Sequence, residues 1–393
     1  MTEPSSKPTS MTSGILNPRF DYIDALRGWA IIGVMLTHVG IKTLNGEGIT
    51  RIARRITDLG AMGVPLFYMV SAFTILYLYE ARRRTEIRPV GSFYIRRIMR
   101  IAPVYWAGIA VYTLIYGLTG SRGWLDAPMI WHYPFHLFFL NMTNPFTPST
   151  VVPGGWSISN EMIFYALVPA LYFVVRTLKG ALAFFALMIV ASPFFAELAV
   201  YLTQSAFTSA SPRETAQFVY RWLPNQLVCF ASGFVLFHLL KDRDDSRLLV
   251  FVRRHRAAIA AGLLSAIPAI AFASMKTPID KNVFWSAWFL ALGIALRVHR
   301  WVALLNPLTI WLGKISFSCY VIHFLAIDLL SHLLPEANAL VRFVLISALA
   351  IPLTSGIAHI SFKYFEEPMN SICKKLVRRF QASQPTTYST EAK

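Results

Sequence analysis

Residues 20–40 read FDYIDALRGWAIIGVMLTHVG. The run is long and apolar enough to cross a bilayer as a helix, at about 1.5 Å of rise per residue against roughly 30 Å of hydrocarbon. Asp24, Arg27 and His38 interrupt it. An ionisable group at membrane depth is expensive unless paired or wetted, which makes each one a candidate functional residue. Arg27 and His38 are eleven positions apart. At about 100° per residue this is roughly three full turns, so both side chains share a face, roughly 16 Å apart along the axis. A snorkelling arginine plus a histidine bonded to a neighbouring helix gives the same spacing. Taken alone, the pattern leaves both readings open. Asp24, three residues before Arg27, is placed to pair with it.

The rest of the chain continues the theme. It has 393 residues, 55% of them hydrophobic and 14% aromatic, with a mean hydropathy of +0.50. Apolar runs near 20 residues recur at 22–42, 60–80, 99–119, 157–176, 180–203, 220–240, 257–275, 283–299, 307–330 and 341–362. Continuous rather than alternating apolar runs point to helices and exclude a β-barrel. The expected fold is an all-α polytopic integral membrane protein, one bundle of about ten transmembrane helices. Residues 132–142, HYPFHLFFLNM, are too few to cross and read as a re-entrant or interfacial segment. The first span is too long, and lacks the small-residue cleavage site, for a cleaved signal peptide.

The net charge of +17 would suggest nucleic acid in a soluble protein. Here the bases flank apolar runs, which is the pattern of topology selection, so no nucleic-acid partner is expected. With the N-terminus cytoplasmic and 132–142 not crossing, 27 of the 37 Lys and Arg residues fall on the cytoplasmic side and 10 outside. Both termini are then cytoplasmic, and the bacterial inner membrane is the expected location. Residues 1–18 and the end of the chain are polar and read as disordered. The expected division is a tail at 1–18, a membrane domain at 19–368 and a basic cytoplasmic tail at 369–393. Cys229, Cys319 and Cys373 lie far apart with no metal spacing, so neither a metal site nor a disulfide framework is expected.

Four further stretches carry groups that do not belong in lipid. FYIRRIMRIAPVYW at 93–106 places Arg97 and Arg100 on one helical face, and arginine forks suit phosphates. GGWSISNEMIFY at 154–165 opens on a glycine hinge. It sets Trp156, Ser157, Glu161 and Tyr165 roughly on one face, with the glutamate one turn inside the external end. LGKISFSCYVIHF at 312–324 puts Ser316, Tyr320 and His323 on one face. FKYFEEPMN ends the last span with Glu366 and Glu367, an acidic pair expected to meet the nearby bases. Each stretch also has a bland reading as topology signal, ion pair or helix contact.

Together these stretches resemble the membrane-bound acyltransferase family 3. IDALRGWAIIGVMLTH, with its Arg27–His38 spacing, is similar to that family's first-span pattern. FYIRRIMRIAPVY, WSISNEMIFY, LGKISFSCYVIH and SFKYFEEP follow in the family's order, from Asp24 to Pro368. Two departures are visible. VSAF at 70–73 stands where the family often has LSGF, and Phe317 stands where it has tyrosine.

The resemblance implies transfer of an acyl group, by default acetyl, from cytoplasmic acyl-CoA (acetyl-CoA) to a carbohydrate hydroxyl across the bilayer. It implies no metal. The roles it suggests are His38 as base or acyl carrier, and Glu161 as its orienter or as an acceptor ligand. Arg27, Arg97 and Arg100 would hold CoA. Trp156, Ser157, Tyr165, Ser316, Tyr320 and His323 would line the acceptor and oxyanion region. Acceptors in view are O-antigen lipopolysaccharide, exopolysaccharide, a peptidoglycan-type glycan, a lipid-linked sugar and small natural products. A transporter or flippase for a lipid-linked sugar is the competing class, but the chain shows no repeated halves.

Overall fold

The computed structural model describes residues 20–123, 127–241, 247–276 and 280–382. The N-terminal tail and the last residues, beyond Ala382, lie outside them. The described residues form helices and no strand. In chain order these are α1 (Asp21–Thr43), α2 (Ile49–Asp58), α3 (Gly63–Arg83), α4 (Pro89–Tyr116), α5 (His132–Leu137) and α6 (Gly155–Val174). Then come α7 (Leu178–Ala206), α8 (Pro212–Arg221), α9 (Leu223–Leu240), α10 (Arg247–Arg254), α11 (Arg256–Lys276) and α12 (Lys281–Val298). The last are α13 (Pro307–Lys314), α14 (Ser316–Leu333), α15 (Ala339–Ser361), a π-helical turn at Phe362–Glu366 and α16 (Glu367–Ala382).

Helical segments occupy all ten expected spans. Eight are long and apolar enough to cross a membrane. The other two are α1, which carries Arg27, His38 and Lys42, and α12. The chain is an all-α, multi-pass membrane protein. Cross-links show which ends lie together. Arg300 pairs with Asp21 at 2.9 Å, and Gln381 Oε1 accepts from the Ile87 amide at 2.9 Å. These mark one end, the basic end. Lys42 pairs with Asp328 at 3.1 Å at the far end.

α1 sits inside the bundle against α3, α13, α14 and α15. Two glycines allow its closest approach. A Cβ added at Gly28 would lie 2.0 Å from the Thr309 carbonyl oxygen, and one at Gly313 would lie 1.8 Å from that of Asp24. The α1–α13 seam is thus backbone against backbone. The Ala72 departure is absorbed in the same way. Its methyl packs on Gly233 of α9, where an added Cβ would come within 2.6 Å of it.

The structure departs from expectation in four places. The span at 307–330 is broken between α13 and α14, where Ile315 adopts φ −95°, ψ 5°. Ser316 Oγ donates to the Gly313 carbonyl at 2.8 Å, a local bond that competes with helix continuation. Gly154 and Gly155 are not a hinge. Both are buried; Gly154 sits at φ 78° as the α6 N-cap, and a Cβ on Gly155 would lie 2.5 Å from the Tyr105 hydroxyl. Residues 369–382, expected as tail, belong to α16, which docks along α4 with Phe380 against Gly91. Finally, amphipathic α2, α8, α10 and α16 occupy stretches in which the sequence showed only charge.

The 132–142 segment holds only α5, whose six residues rise about 9 Å and do not cross. It is pinned from beneath by buried Arg122, which donates to the Gly117 carbonyl at 2.7 Å and the Tyr133 hydroxyl at 2.8 Å. His136 is also buried; its Nε2 donates to the Thr147 carbonyl at 2.8 Å, and in the neutral ring its Nδ1 accepts from the Tyr105 hydroxyl at 2.7 Å.

Candidate active site

A cavity of about 750 Å³ opens at the basic end, within the range of small-molecule and cofactor sites. Its walls come from α1, α3, α4, α6, the α13–α14 corner and α16. On α3 the lining runs from Val64 to Arg82, about 27 Å at 1.5 Å per residue, most of a bilayer's depth.

The mouth is cationic. Arg27, Arg82, Arg96, Arg97, Arg100, Lys314, Lys374 and Arg378 all line it. Three of them have carboxylate partners: Arg27 with Asp24 at 3.2 Å, Arg96 with Glu86, and Arg100 with buried Glu366 at 2.7 Å. Arg27 also donates to Thr74 Oγ1 at 3.0 Å. Glu366 is held in turn by Ser318 Oγ at 2.6 Å, at the π-helical turn, a feature often found where helices serve function. The other five cations have no carboxylate within ion-pair distance among the described residues. Arg97 lies with its Cζ 5.8 Å from the Tyr165 ring centroid and 5.9 Å from that of Phe93, and its buried Nε has no hydrogen-bond partner. A cluster with this surplus of positive charge is suited to a polyanion.

Midway along the cavity, Glu161 accepts from Ser71 Oγ at 2.5 Å and from the Tyr165 hydroxyl. Among the described residues Glu161 makes no hydrogen bond to His38, the contact that the first of its two expected roles would need. Ser71 was not singled out from the sequence, although its place in VSAF was the available signal. The deep end is closed by Tyr320. Its hydroxyl donates to the Gly154 carbonyl at 3.1 Å and accepts from Ser157 Oγ at 2.7 Å. A Cβ at Gly154 would stand 3.1 Å from that hydroxyl, so the glycine is what lets Tyr320 reach the α6 start. Ser316 and Phe317 line the same wall.

His38 and His323 do not line this cavity; they stand just beyond Tyr320. His323 Nδ1 donates to the Tyr320 carbonyl at 2.7 Å, and its Nε2 lies 3.3 Å from His38 Nδ1. His38 Nδ1 also meets the Val34 carbonyl at 2.8 Å. A carbonyl only accepts, so each Nδ1 carries the proton, and in the neutral ring the basic nitrogen of His38 is Nε2. The His38 ring packs on Phe324 with centroids 4.4 Å apart. Trp156 is not a lipid-facing anchor. It is 8% exposed, edge-on to Tyr68 and 5.8 Å from the Arg221 guanidinium.

The structure therefore assembles two groups from the sequence candidates. Arg27, Arg97, Arg100, Glu161, Tyr165, Ser157, Ser316 and Tyr320 border the cavity, while His38 and His323 form a pair behind its closed end. Trp156 faces the far end.

Comparison with known proteins follows the same lines. A family model described as an acyltransferase domain matches residues 20–359. The chain is 32% identical over 146 residues to exopolysaccharide production protein ExoZ of Rhizobium meliloti (strain 1021), covering 36% of this chain and 40% of that protein. It is 22% identical over 325 residues to acyltransferase MdmB of Streptomyces mycarofaciens, covering 79% of each. It is 27% identical over 177 residues to nodulation protein 10 of Rhizobium leguminosarum bv. viciae, covering 40% of this chain and 46% of that protein. The aligned stretches thus span under half of the first and third relatives. No solved structure gives a significant match. The match over 20–359 takes in every helix from α1 to most of α15 and the cavity residues on α1, α3, α4, α6, α13 and α14, and on that ground the chain belongs to the membrane-bound acyltransferase family 3.

Proposed function

We propose that this protein is an O-acyltransferase of the bacterial inner membrane with both termini in the cytoplasm. It moves an acyl group, by default acetyl, from cytoplasmic acyl-CoA to a carbohydrate hydroxyl presented from the other side. The observation that carries this reading is the cationic cavity running from the basic end to Tyr320, with the His38–His323 pair immediately beyond. The likeness to an exopolysaccharide production protein supports a polysaccharide acceptor.

In this reading the CoA phosphates rest among Arg97, Lys374, Arg378 and Arg82. The pantetheine arm lies along α3, and the thioester reaches the Ser157–Tyr320 end. The Tyr320 ring swings aside, giving up two hydrogen bonds, to bring the thioester to His38. His38 Nε2 removes the proton of the acceptor hydroxyl as its oxygen attacks the thioester carbonyl. The C–S bond breaks, an ester C–O bond forms, and the imidazolium returns its proton to the departing CoA thiolate. His323 Nε2 and the Val34 carbonyl both face His38 Nδ1–H, orienting the ring and stabilising its charged form. Glu161, Ser71 and Tyr165 shape the middle of the channel and face the charge of Arg97.

The test uses membranes carrying the protein and acetyl-CoA labelled in the acetyl group. Label is expected to appear in glycan only when the protein is present. Arg97→Ala is expected to weaken acetyl-CoA binding roughly 10–100-fold, since hydrogen bonds to charged groups are each worth about 1.5–3 kcal/mol. Unchanged affinity by titration would remove Arg97 from the donor site, and no label transfer to any glycan would end the acyltransferase reading.

A further inference from the structure

The far end holds a charge that the donor chemistry does not use. Arg221 closes α8, immediately before Trp222 opens the α9 span. Its backbone is fixed, with its carbonyl accepting from Asn160 Nδ2 at 2.6 Å, which ties it to α6 beside Glu161. Its guanidinium lies over Trp156, 5.8 Å from the ring centroid. Its charge reaches both the His38 ring and the Tyr320 hydroxyl. Two neighbouring cations have acidic partners: Arg54 bonds Asp58 at 2.7 Å, and Lys281 lies within reach of Asp280 and Asp58 with its Nζ 3.9 Å from the Tyr220 ring centroid.

Arg221 differs. Among the described residues it has no ion-pair or side-chain hydrogen-bond partner. The groups whose charge it meets are Tyr220, Tyr320 and Arg213, with no carboxylate among them. A half-buried guanidinium without a counterion is unfavourable unless a ligand supplies the anion. Trp156 holds the guanidinium from one side and is itself buried against Tyr68 and Tyr220.

We propose that Arg221 is an acceptor-binding residue. It takes an anionic group of the acceptor, a carboxylate or a phosphate, and so presents a hydroxyl to His38. The acceptor class is then an acidic glycan or a glycan carried on a lipid phosphate. The inference deepens the acyltransferase reading by naming the substrate class. Its binding component stands without that reading.

The experiment uses the full-length protein in lipid nanodiscs, as wild type, Arg221→Gln and Arg221→Lys. Binding is titrated with three probes: a uronate oligosaccharide, its carboxyl-reduced neutral form, and a polyprenyl-diphosphate-linked oligosaccharide. Wild type is expected to bind at least one anionic probe more than tenfold tighter than the neutral one. Arg221→Gln is expected to erase that preference and Arg221→Lys to restore part of it, with acetyl-CoA affinity unchanged in both. Which anionic probe responds distinguishes the carboxylate from the lipid phosphate. In acyl transfer, Arg221→Gln is expected to raise the acceptor KM rather than lower kcat.

Equal binding of all probes by wild type overturns the proposal, as does an anion preference that survives in Arg221→Gln. Arg221-dependent binding without acyl transfer to any probe would keep the anion site and sink the acyltransferase reading instead.

Discussion

His38→Ala is expected to reduce acyl transfer by roughly 10²–10⁴-fold, the usual contribution of a positioned general base. The variant should still insert, and its acetyl-CoA affinity should stay close to wild type, because His38 lies outside the cavity lining. This split is the discriminating result: a structural histidine would lower expression or stability, whereas a catalytic one leaves both intact. His323→Ala is expected to cost less, since the Val34 carbonyl still holds His38 Nδ1 at 2.8 Å and only the second acceptor is lost. The measurement is initial rate against protein correctly inserted. Near-wild-type transfer by His38→Ala would remove it from the mechanism.

The second large effect concerns the fold. Gly28→Ala and Gly313→Ala each force a methyl to within 2.0 Å and 1.8 Å of a carbonyl oxygen on the facing helix. The obstacle is backbone, so no side chain can rotate away. Overpacking of this kind costs about 1–3 kcal/mol, and more where the backbone itself must move. Both variants are expected to lose most of their folded yield in detergent. Gly356→Ala and Gly262→Ala, where nothing stands within 4 Å of the new methyl, are expected to be neutral or slightly stabilising, because alanine is the better helix former. Equal behaviour of the two pairs in thermal unfolding would refute the tight α1–α13 seam. The glycine of the LRG stretch is therefore a packing requirement, whereas its neighbour Arg27 is a cavity residue.

The bland readings fare differently from stretch to stretch. Glu366 does pair with a base, Arg100, so the charge of Arg100 is already half spent and Arg97 is the freer donor-side cation. Trp156 reads as an interfacial anchor by position, yet it is buried against Arg221. Its neighbours come from α3 and α8, which no local pattern announces. The sequence puts Glu161 and His38 both towards the external side, yet Glu161 bonds Ser71 midway along the cavity and His38 stands beyond its closed end. Relative depth between helices depends on how they are staggered against one another, which no local pattern carries. The break at Ile315 was hidden for a related reason: hydropathy averages over a turn, while the break depends on the one carbonyl that Ser316 captures.

What the sequence by itself determined is the set of apolar spans, their order and the face shared by Arg27 and His38. Those follow from hydrocarbon thickness and a 3.6-residue period, both local. What only the tertiary structure decided is which helices present these faces to one another. That includes the His38–His323 pair, the Glu161–Ser71–Tyr165 group, α16 as a wall of the cavity, and Arg221 without a counterion beside Trp156. Such pairings join residues up to 285 positions apart, and they are set by backbone contacts at a few glycines. In a bilayer the apolar drive between helices is weak, so close packing of small residues chooses the partners.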